Sequence, residues 1–577
     1  MSVRPARLSP TGIGGLDEIL RGGFPAGRST VIVGAPGAGK TILAMQFLVN
    51  GAARFGEPGV MVSFEESERS IRANFSTLDW PFDEVVGQNL LIVDARLPED
   101  TVDAGTFDLV GLIAMLAGLV KAHGVKRVAL DGIDGLFVYA RDEAVSRREV
   151  RRLLSWLADS GVTALVTVKA AGGDRALEPH LGFTEFAADG VVHLGYRLSE
   201  GVLQRVLQVV KVRGAGYVAG EQPYVISGAG LEFAYMDATN APMRVTDAHL
   251  STGIERLDRM LCGGYREGTV TLVSGPPGTS KTTLAGSFVA AGCGRGERAL
   301  FVGFDEPVEQ VFLDLHSVGL GLDRFHEAGL LAAASFNAGA ASADEHYFAI
   351  LRLIERHQPR LLVIDPISAL VKAGGRRAAE IVTERLVNFV KARGITALFT
   401  AVSDSDLGEL ESSSSRVSTV ADNWLHVSFA VQRGERNRTL TVIKARGTGH
   451  SNQMRELILS DAGLDLKDVY YAQGDVLLGT ARLEKERQEA AEVRAREAEA
   501  KRAFAALDRR CRVLEVQAEL AQSELAAAEE ARSQMELHAA GVAKSRAQDQ
   551  AALLESRGAD PNPAGLQANG ASEGASA

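Results

Sequence analysis

Along the first part of the chain, short apolar runs alternate with longer stretches of helical period. STVIVG (29–34), GVMVSF (59–64), NLLIVD (89–94), RVALD (127–131), TALVTV (163–168), GVVHLG (190–195) and QVVKV (208–212) read as strands. RVALD and TALVTV are apolar at nearly every position, which suits central strands covered on both faces. Between them lie stretches such as SRREVRRLLSWLADSG (146–161), whose apolar residues recur at helical spacing. Strand–helix alternation predicts a mainly parallel sheet flanked by helices. The most apolar run, Leu109–Val120, is bounded by Asp108 and Lys121. A membrane span needs about 20 such residues, so this run is expected to be a buried helix, with no membrane partner.

The pattern occurs twice. Residues 11–48 and 252–289 align without gaps, and 18 of those 38 positions are identical. Later landmarks recur in the same order: SFEE (63–66) and GFDE (303–306), RVALDGIDGL (127–136) and LLVIDPISAL (361–370), KVRG (211–214) and KARG (444–447). Two copies of one domain are therefore expected, at 5–236 and 245–468. From 482 to 557 the chain is rich in Ala, Glu, Arg and Gln, without proline. A heptad can be threaded through Leu483, Ala490, Phe504, Cys511, Ala518 and Leu525, with Val493, Leu507, Leu514 and Met535 on the second row. Glu497 and Arg532 interrupt it, so a long helix with a weak coiled-coil seam is expected. Residues 558–577 are low-complexity and read as a disordered tail.

Composition narrows the class. Hydrophobic residues make up 46% and charged ones 23% of 577, an ordinary globular balance that excludes collagen and bulk disorder. Cys262, Cys293 and Cys511 are too few and too scattered for a disulfide framework or a zinc ribbon, so a reducing, cytoplasmic location is expected. The net charge is −11, and no Lys/Arg run with interleaved aromatics is present, which argues against a nucleic-acid partner.

The chemistry sits at the ends of strands. Gly34, Gly37, Ala38, Gly39, Lys40 and Thr41 satisfy GxxxxGK[ST], with Ile42 opening the helix behind them. Glycines let such a loop curl until several N–H groups face one phosphate, and the following helix adds its positive end. Lys40 would reach the terminal phosphates of ATP, and Thr41 would ligate Mg²⁺. The second loop runs Gly275, Gly278, Thr279, Ser280, Lys281, Thr282 and Thr283, with Thr282 on the metal. Ser280 stands where the motif has glycine, and is expected to crowd the phosphates or demand an awkward backbone angle. Asp131 and Asp365 end matching strands and read as the carboxylates of the Mg²⁺ shell. Glu65–Glu66 and Asp305–Glu306 follow the second strand of each copy, where an acid could orient the attacking group. Lys211 and Arg213, like Lys444 and Arg446, are alternate residues on one strand face that could touch a γ-phosphate in the same chain or across a subunit boundary.

Together these residues resemble the KaiC family of tandem RecA-like ATPases, over roughly 5–480. The TGIxxLD openings, both loops, the paired acids, both strand-ending aspartates, both KxRG ends and LLGTAR (477–482) carry the resemblance. It implies a homohexameric double ring with ATP between subunits, so that the KxRG cations act on the neighbour's nucleotide. It also implies slow hydrolysis in the first ring and autophosphorylation in the second. By position in VSTVAD (417–422), Ser418 and Thr419 would be the acceptors and Asp305–Glu306 the base. A hexameric timing or signalling switch is the function so implied, with the C-terminal helix joining tails or docking a signalling protein. A RecA-type DNA motor and an ATP-stabilised scaffold are the alternatives, since fold alone separates none of them.

Overall fold

The computed structural model describes residues 7–96, 109–136, 143–170, 182–234, 246–403, 420–432, 434–472 and 475–558. In the first repeat these form β1 (Ser29–Gly34), α1 (Lys40–Phe55), β2 (Gly59–Ser63), β3 (Leu90–Asp94), α2 (Leu109–His123), β4 (Arg127–Asp131), α3 (Glu143–Asp159) and β5 (Thr163–Lys169). Four more strands follow: β6 (Gly190–Ser199), β7 (Val202–Val212), β8 (Glu221–Ser227) and β9 (Gly230–Phe233). The nine pair in the order β9-β8-β7-β6-β1-β5-β4-β2-β3. From β6 to β3 every pairing is parallel, and β7, β8 and β9 extend the sheet antiparallel. The second repeat builds the same sheet from β10 (Val270–Gly275), α4 (Lys281–Gly294), β11 (Ala299–Phe304), β12 (Leu331–Phe336), α5 (Ala343–His357), β13 (Leu361–Asp365), α6 (Arg376–Ala392) and β14 (Thr396–Val402). Its wing is β15 (Asn423–Gln432), β16 (Glu435–Ala445), β17 (Arg455–Ser460) and β18 (Gly463–Asp468), in the order β12-β11-β13-β14-β10-β15-β16-β17-β18. These are two α/β domains in tandem, as the repeat and its periodicities implied, and RecA-like, as the resemblance implied.

Each sheet is covered on both faces, because its central strands are apolar at successive positions. Ile32, Met61, Ala129 and Leu165 pack on one side with the helix α1, and Val31, Val60, Val128 and Val166 on the other. Arg127 is fully buried yet satisfied: it donates to Glu57 at 2.6 Å and to the carbonyls of Phe47 and Pro10 at 2.9 Å, and its guanidinium lies over the Phe47 ring. One expectation is corrected. In α2 only Leu109 and Leu116 are fully buried, and Val110 is 41% exposed. The helix lies on one face of the sheet, so only one of its stripes can reach the core.

The two repeats share a boundary. Val225 and Ala234 of the first belong to the core of the second, and Arg352 on α5 pairs with Glu232 on β9 at 2.8 Å. A compact unit ends at Gly479, and a second begins at Thr480. The latter is dominated by one unbroken helix, Gly479–Ser556, along which Phe504, Leu507, Leu525 and Met535 are exposed. The expected tail at 558–577 lies, apart from Gly558, outside the described residues.

Candidate functional site

In the first repeat the loop after β1 closes over the start of α1. Lys40 Nζ donates to the carbonyls of Gly34 (2.9 Å) and Ala35 (3.2 Å), and burial lowers the pKa of its ammonium. The Thr41 hydroxyl donates to both oxygens of Asp131, at 3.2 and 3.0 Å, and Thr167 Oγ1 donates to Oδ1 from behind at 2.7 Å. Burial raises the Asp131 carboxyl above its ordinary range. A hydroxyl and a carboxylate in mutual contact beside a lysine form an oxygen donor set suited to Mg²⁺ and phosphate, so the residues present fit the expected ligands. Tyr224 on β8, which the sequence did not single out, donates to the Ala38 carbonyl and braces the loop.

The paired acids separate. Glu65 turns into the site and meets Lys169 Nζ at 2.5 Å, while Glu66 turns away and accepts from Ser70 (2.8 Å) and Asn74 (3.0 Å) on the next helix. A Cβ at Gly132 would lie 2.5 Å from Glu65 Cγ, so glycine after Asp131 makes room for the acid. Lys169 ends β5, next to the loop strand, and its backbone N–H donates to Asp134 at 3.1 Å. No motif marks Lys169; only the sheet order brings it to Glu65.

The second site repeats this plan with other parts. Lys281 Nζ donates to the carbonyls of Gly275 (2.9 Å) and Pro276 (2.7 Å), and Thr400 holds Asp365 as Thr167 holds Asp131. Ser280 has φ 69° and ψ 32°, close to Gly39 at 88° and 19°. The awkward angle is therefore what the serine accepts. A left-handed L-residue costs about 1–2 kcal/mol, which Gly39 avoids. Asp305 also has a positive φ, 68°. Its Oδ2 lies 2.7 Å from Lys372, and its Oδ1 accepts from Ala338 N at 3.1 Å. The Lys372 ammonium holds this carboxyl below its usual range. Glu306 is exposed. Arg438 on β16 donates to the Gly278 carbonyl at 3.1 Å, the brace Tyr224 supplies in the first loop.

Lys211 and Arg213 lie at the other end of the sheet. Lys211 pairs in register with Val191, whereas Gly34, where the loop begins, is level with Leu194. At about 3.3 Å per residue, the two cations stand at least 10 Å below their own phosphate loop. Lys211 donates to the Glu185 and Phe186 carbonyls, and Arg213 to Phe186 at 3.1 Å. Lys444 donates to the Ala421 carbonyl at 2.6 Å, and Arg446 N–H to Asp422 at 3.0 Å. Ser418 and Thr419 lie outside the described residues.

With two phosphate loops, two strand-ending aspartates and two cation pairs on duplicated sheets, one comparison decides the family. A family model described as the KaiC ATPase matches residues 9–237 and again 250–469. The chain belongs to the KaiC family of ATPases. Among KaiC relatives it is 36% identical over 525 residues to a Synechocystis protein named circadian clock protein KaiC2, covering 90% of this chain and 92% of that one. It is 32% identical to proteins named circadian clock oscillator protein KaiC from Thermosynechococcus vestitus (82% and 91% covered) and Synechococcus elongatus (80% and 89%). Like any KaiC ATPase, this chain binds nucleotide. Among the described residues, no helix is long and apolar enough to cross a membrane.

Proposed function

We propose that the chain is a cytoplasmic, homohexameric Mg-ATP switch of the clock-protein kind, hydrolysing ATP in its first repeat and phosphorylating itself in its second. The observation that carries the ATPase half is the grouping of Lys40, the Thr41–Asp131 contact and the Glu65–Lys169 pair at the C-terminal ends of the parallel strands of one sheet. Lys40 and the loop N–H groups would hold the β- and γ-phosphates. Thr41, with Asp131 behind it, would hold Mg²⁺, which when bound supplies charge neutralisation between those phosphates. Glu65 would take the proton of the attacking water, with Lys169 fixing where its carboxylate points. In the second repeat Asp305 would take the proton of an acceptor hydroxyl, Ser418 or Thr419, as the oxygen bonds to the γ-phosphorus and ADP leaves. Glu66, held by Ser70 and Asn74 on the next helix, would act as a supporting charge rather than as a base, and exposed Glu306 would do the same in the second repeat.

The distance of Lys211, Arg213, Lys444 and Arg446 from their own loops supports a ring in which they meet the neighbour's γ-phosphate. The exposed seam of the C-terminal helix supports pairing of tails or capture of a signalling partner. Intact-mass and phosphopeptide analysis after incubation with Mg-ATP tests the reading, with wild type beside Lys40→Ala and Lys281→Ala. Phosphate on the peptide spanning 412–419, kept in Lys40→Ala and lost in Lys281→Ala, is the expected result. ADP release with no phosphate on the protein would reduce the second repeat to hydrolysis or scaffolding.

A further inference from the structure

The hairpin that carries the first repeat's cations at one end enters the second repeat at the other. β6 and β7 run antiparallel from Lys211, level with Val191, to the turn at Glu200 and Gly201. From Val202 to Lys211 this ladder spans about 30 Å. At its tip the Ser199 hydroxyl donates to the carbonyl of Gly374 at 3.2 Å, and Gln204 Nε2 donates to the same carbonyl at 3.3 Å. Gln204 is 7% exposed, and its Oε1 accepts from Arg197, which pairs with Glu221 at 3.2 Å. The receiving turn is shaped for this contact. Gly374 has φ 130°, and a Cβ there would lie 2.2 Å from Gln204 Nε2; at Gly375 it would lie 2.7 Å from Glu200 Oε1.

Gly374 closes a short 3₁₀ helix, Ile367–Ala373, that starts two residues after Asp365 and carries Lys372 in its last turn. Lys372 is the residue that holds Asp305. One short element therefore joins the second site's Mg²⁺ carboxylate at its start, the acid's lysine near its end, and the first repeat's hairpin at its cap. The Lys372–Asp305 pair is solvent-exposed, with side chains 65% and 33% accessible, so it is weak enough to be remade by a small displacement. The first repeat's counterpart, Lys169 on Glu65, is anchored in a sheet strand and has no such handle among the described residues.

We propose that Ser199 and Gln204 are positioning residues for the second active site: through the Gly374 carbonyl they set Lys372, and Lys372 sets Asp305. This rests on the reading of Asp305 as the second site's base.

The test uses the full chain and two readouts. The first is chemical: acylation of Lys372 by acetic anhydride, followed by mass spectrometry with Lys126 as the internal standard. Ser199→Ala/Gln204→Ala is expected to raise Lys372 labelling by about threefold or more, as Asp305→Asn should. Gln204→Glu keeps the volume but replaces the donor with an acceptor, and is expected to act in the same direction. The second readout is the part of phosphoryl transfer abolished by Lys281→Ala. The double variant is expected to lower it about fivefold while the Lys40-dependent part stays within about twofold, and to cause no further loss on a Lys372→Met background. Lys372→Arg is expected to retain the coupling. Unchanged Lys372 labelling in the hairpin variants, or losses that multiply on the Lys372→Met background, would overturn the proposal. If labelling rises as expected but Asp305→Asn leaves Lys281-dependent transfer intact, the assignment of Asp305 as base falls and the hairpin's hold on Lys372 stands.

Discussion

The two phosphate loops differ less in themselves than in how their acids are held. In the first repeat Lys169, at the end of β5, meets Glu65; the corresponding strand of the second ends at Val402, and Lys372 meets Asp305 from the 3₁₀ helix instead. A matching hydrogen bond persists beneath: Lys169 N–H donates to Asp134, and Val402 N–H to Ser368. The duplication has kept the backbone scaffold and replaced the source of the ammonium. What is retained at such a site is a cation beside a carboxylate, and the residue number that supplies it is free to move.

The comparison breaks most sharply under removal of the acids. Glu65→Gln is expected to lower the Lys40-dependent ADP release by about 100-fold while leaving Lys281-dependent transfer intact. Asp305→Asn should do the reverse, and equal losses from either change would mean that one site does all the work. A swap at the loops is the next largest effect. Gly39→Ser forces a side chain into φ 88° with its Cβ 2.8 Å from Ile226 Cδ1, whereas Ser280→Gly releases φ 69°. Chemical denaturation should show a loss of about 1–2 kcal/mol for the first and a gain of about 1 kcal/mol for the second.

Asp131→Asn sharpens the comparison in the opposite sense, between stability and turnover. Burial raises this carboxyl in the folded chain, so ionising it costs stability as pH rises above the unfolded value of 3.8. The variant is expected to melt higher at pH 7, to lose that advantage below pH 3.8, and to lose the first repeat's turnover. The smallest effect concerns Arg127, whose place in the second repeat is taken by Leu361. A Cβ on Gly51 would strike the first, and one on the equivalent Gly292 the second, at 2.4 and 1.8 Å. Replacing both partners, as Arg127→Leu/Glu57→Leu, should therefore change unfolding free energy by no more than about 1 kcal/mol, since a buried ion pair and apolar side chains of similar volume are near equivalents.

Strands, loops and strand-ending aspartates were legible because each is local: a run of apolar residues, a glycine turn, a carboxylate where a strand stops. RVALD (127–131) is β4 residue for residue. The sequence reading placed Glu65 and Glu66 together, and their opposite orientations depend on Ser70 and Asn74 in the following helix. Lys169, Lys372 and Tyr224 were illegible for a different reason. Each reaches its partner across 67 to 186 residues of chain, and a lone lysine or tyrosine carries no periodicity to announce it. The burial of α2 was overread because apolar content does not say how many sides of a helix will be covered.

The hairpins carry a consequence for how the chain can be taken apart. The first one ends on Gly374; the second, β15–β16, brings Glu435 and Asn437 against Gly479, where a Cβ would lie 2.2 Å from Glu435 Oε2. The first copy thus docks its tip on the copy that follows it, whereas the second closes on the last residue of its own unit, so the tandem has a head and a tail although its halves share an ancestor. Excising the first copy would strip the cover from Gln204, Val225 and Ala234, and transposing the two would present each tip to a surface that did not evolve to receive it. The copies are homologous in sequence but not interchangeable as parts, because the seat of the first copy's hairpin is encoded in the second.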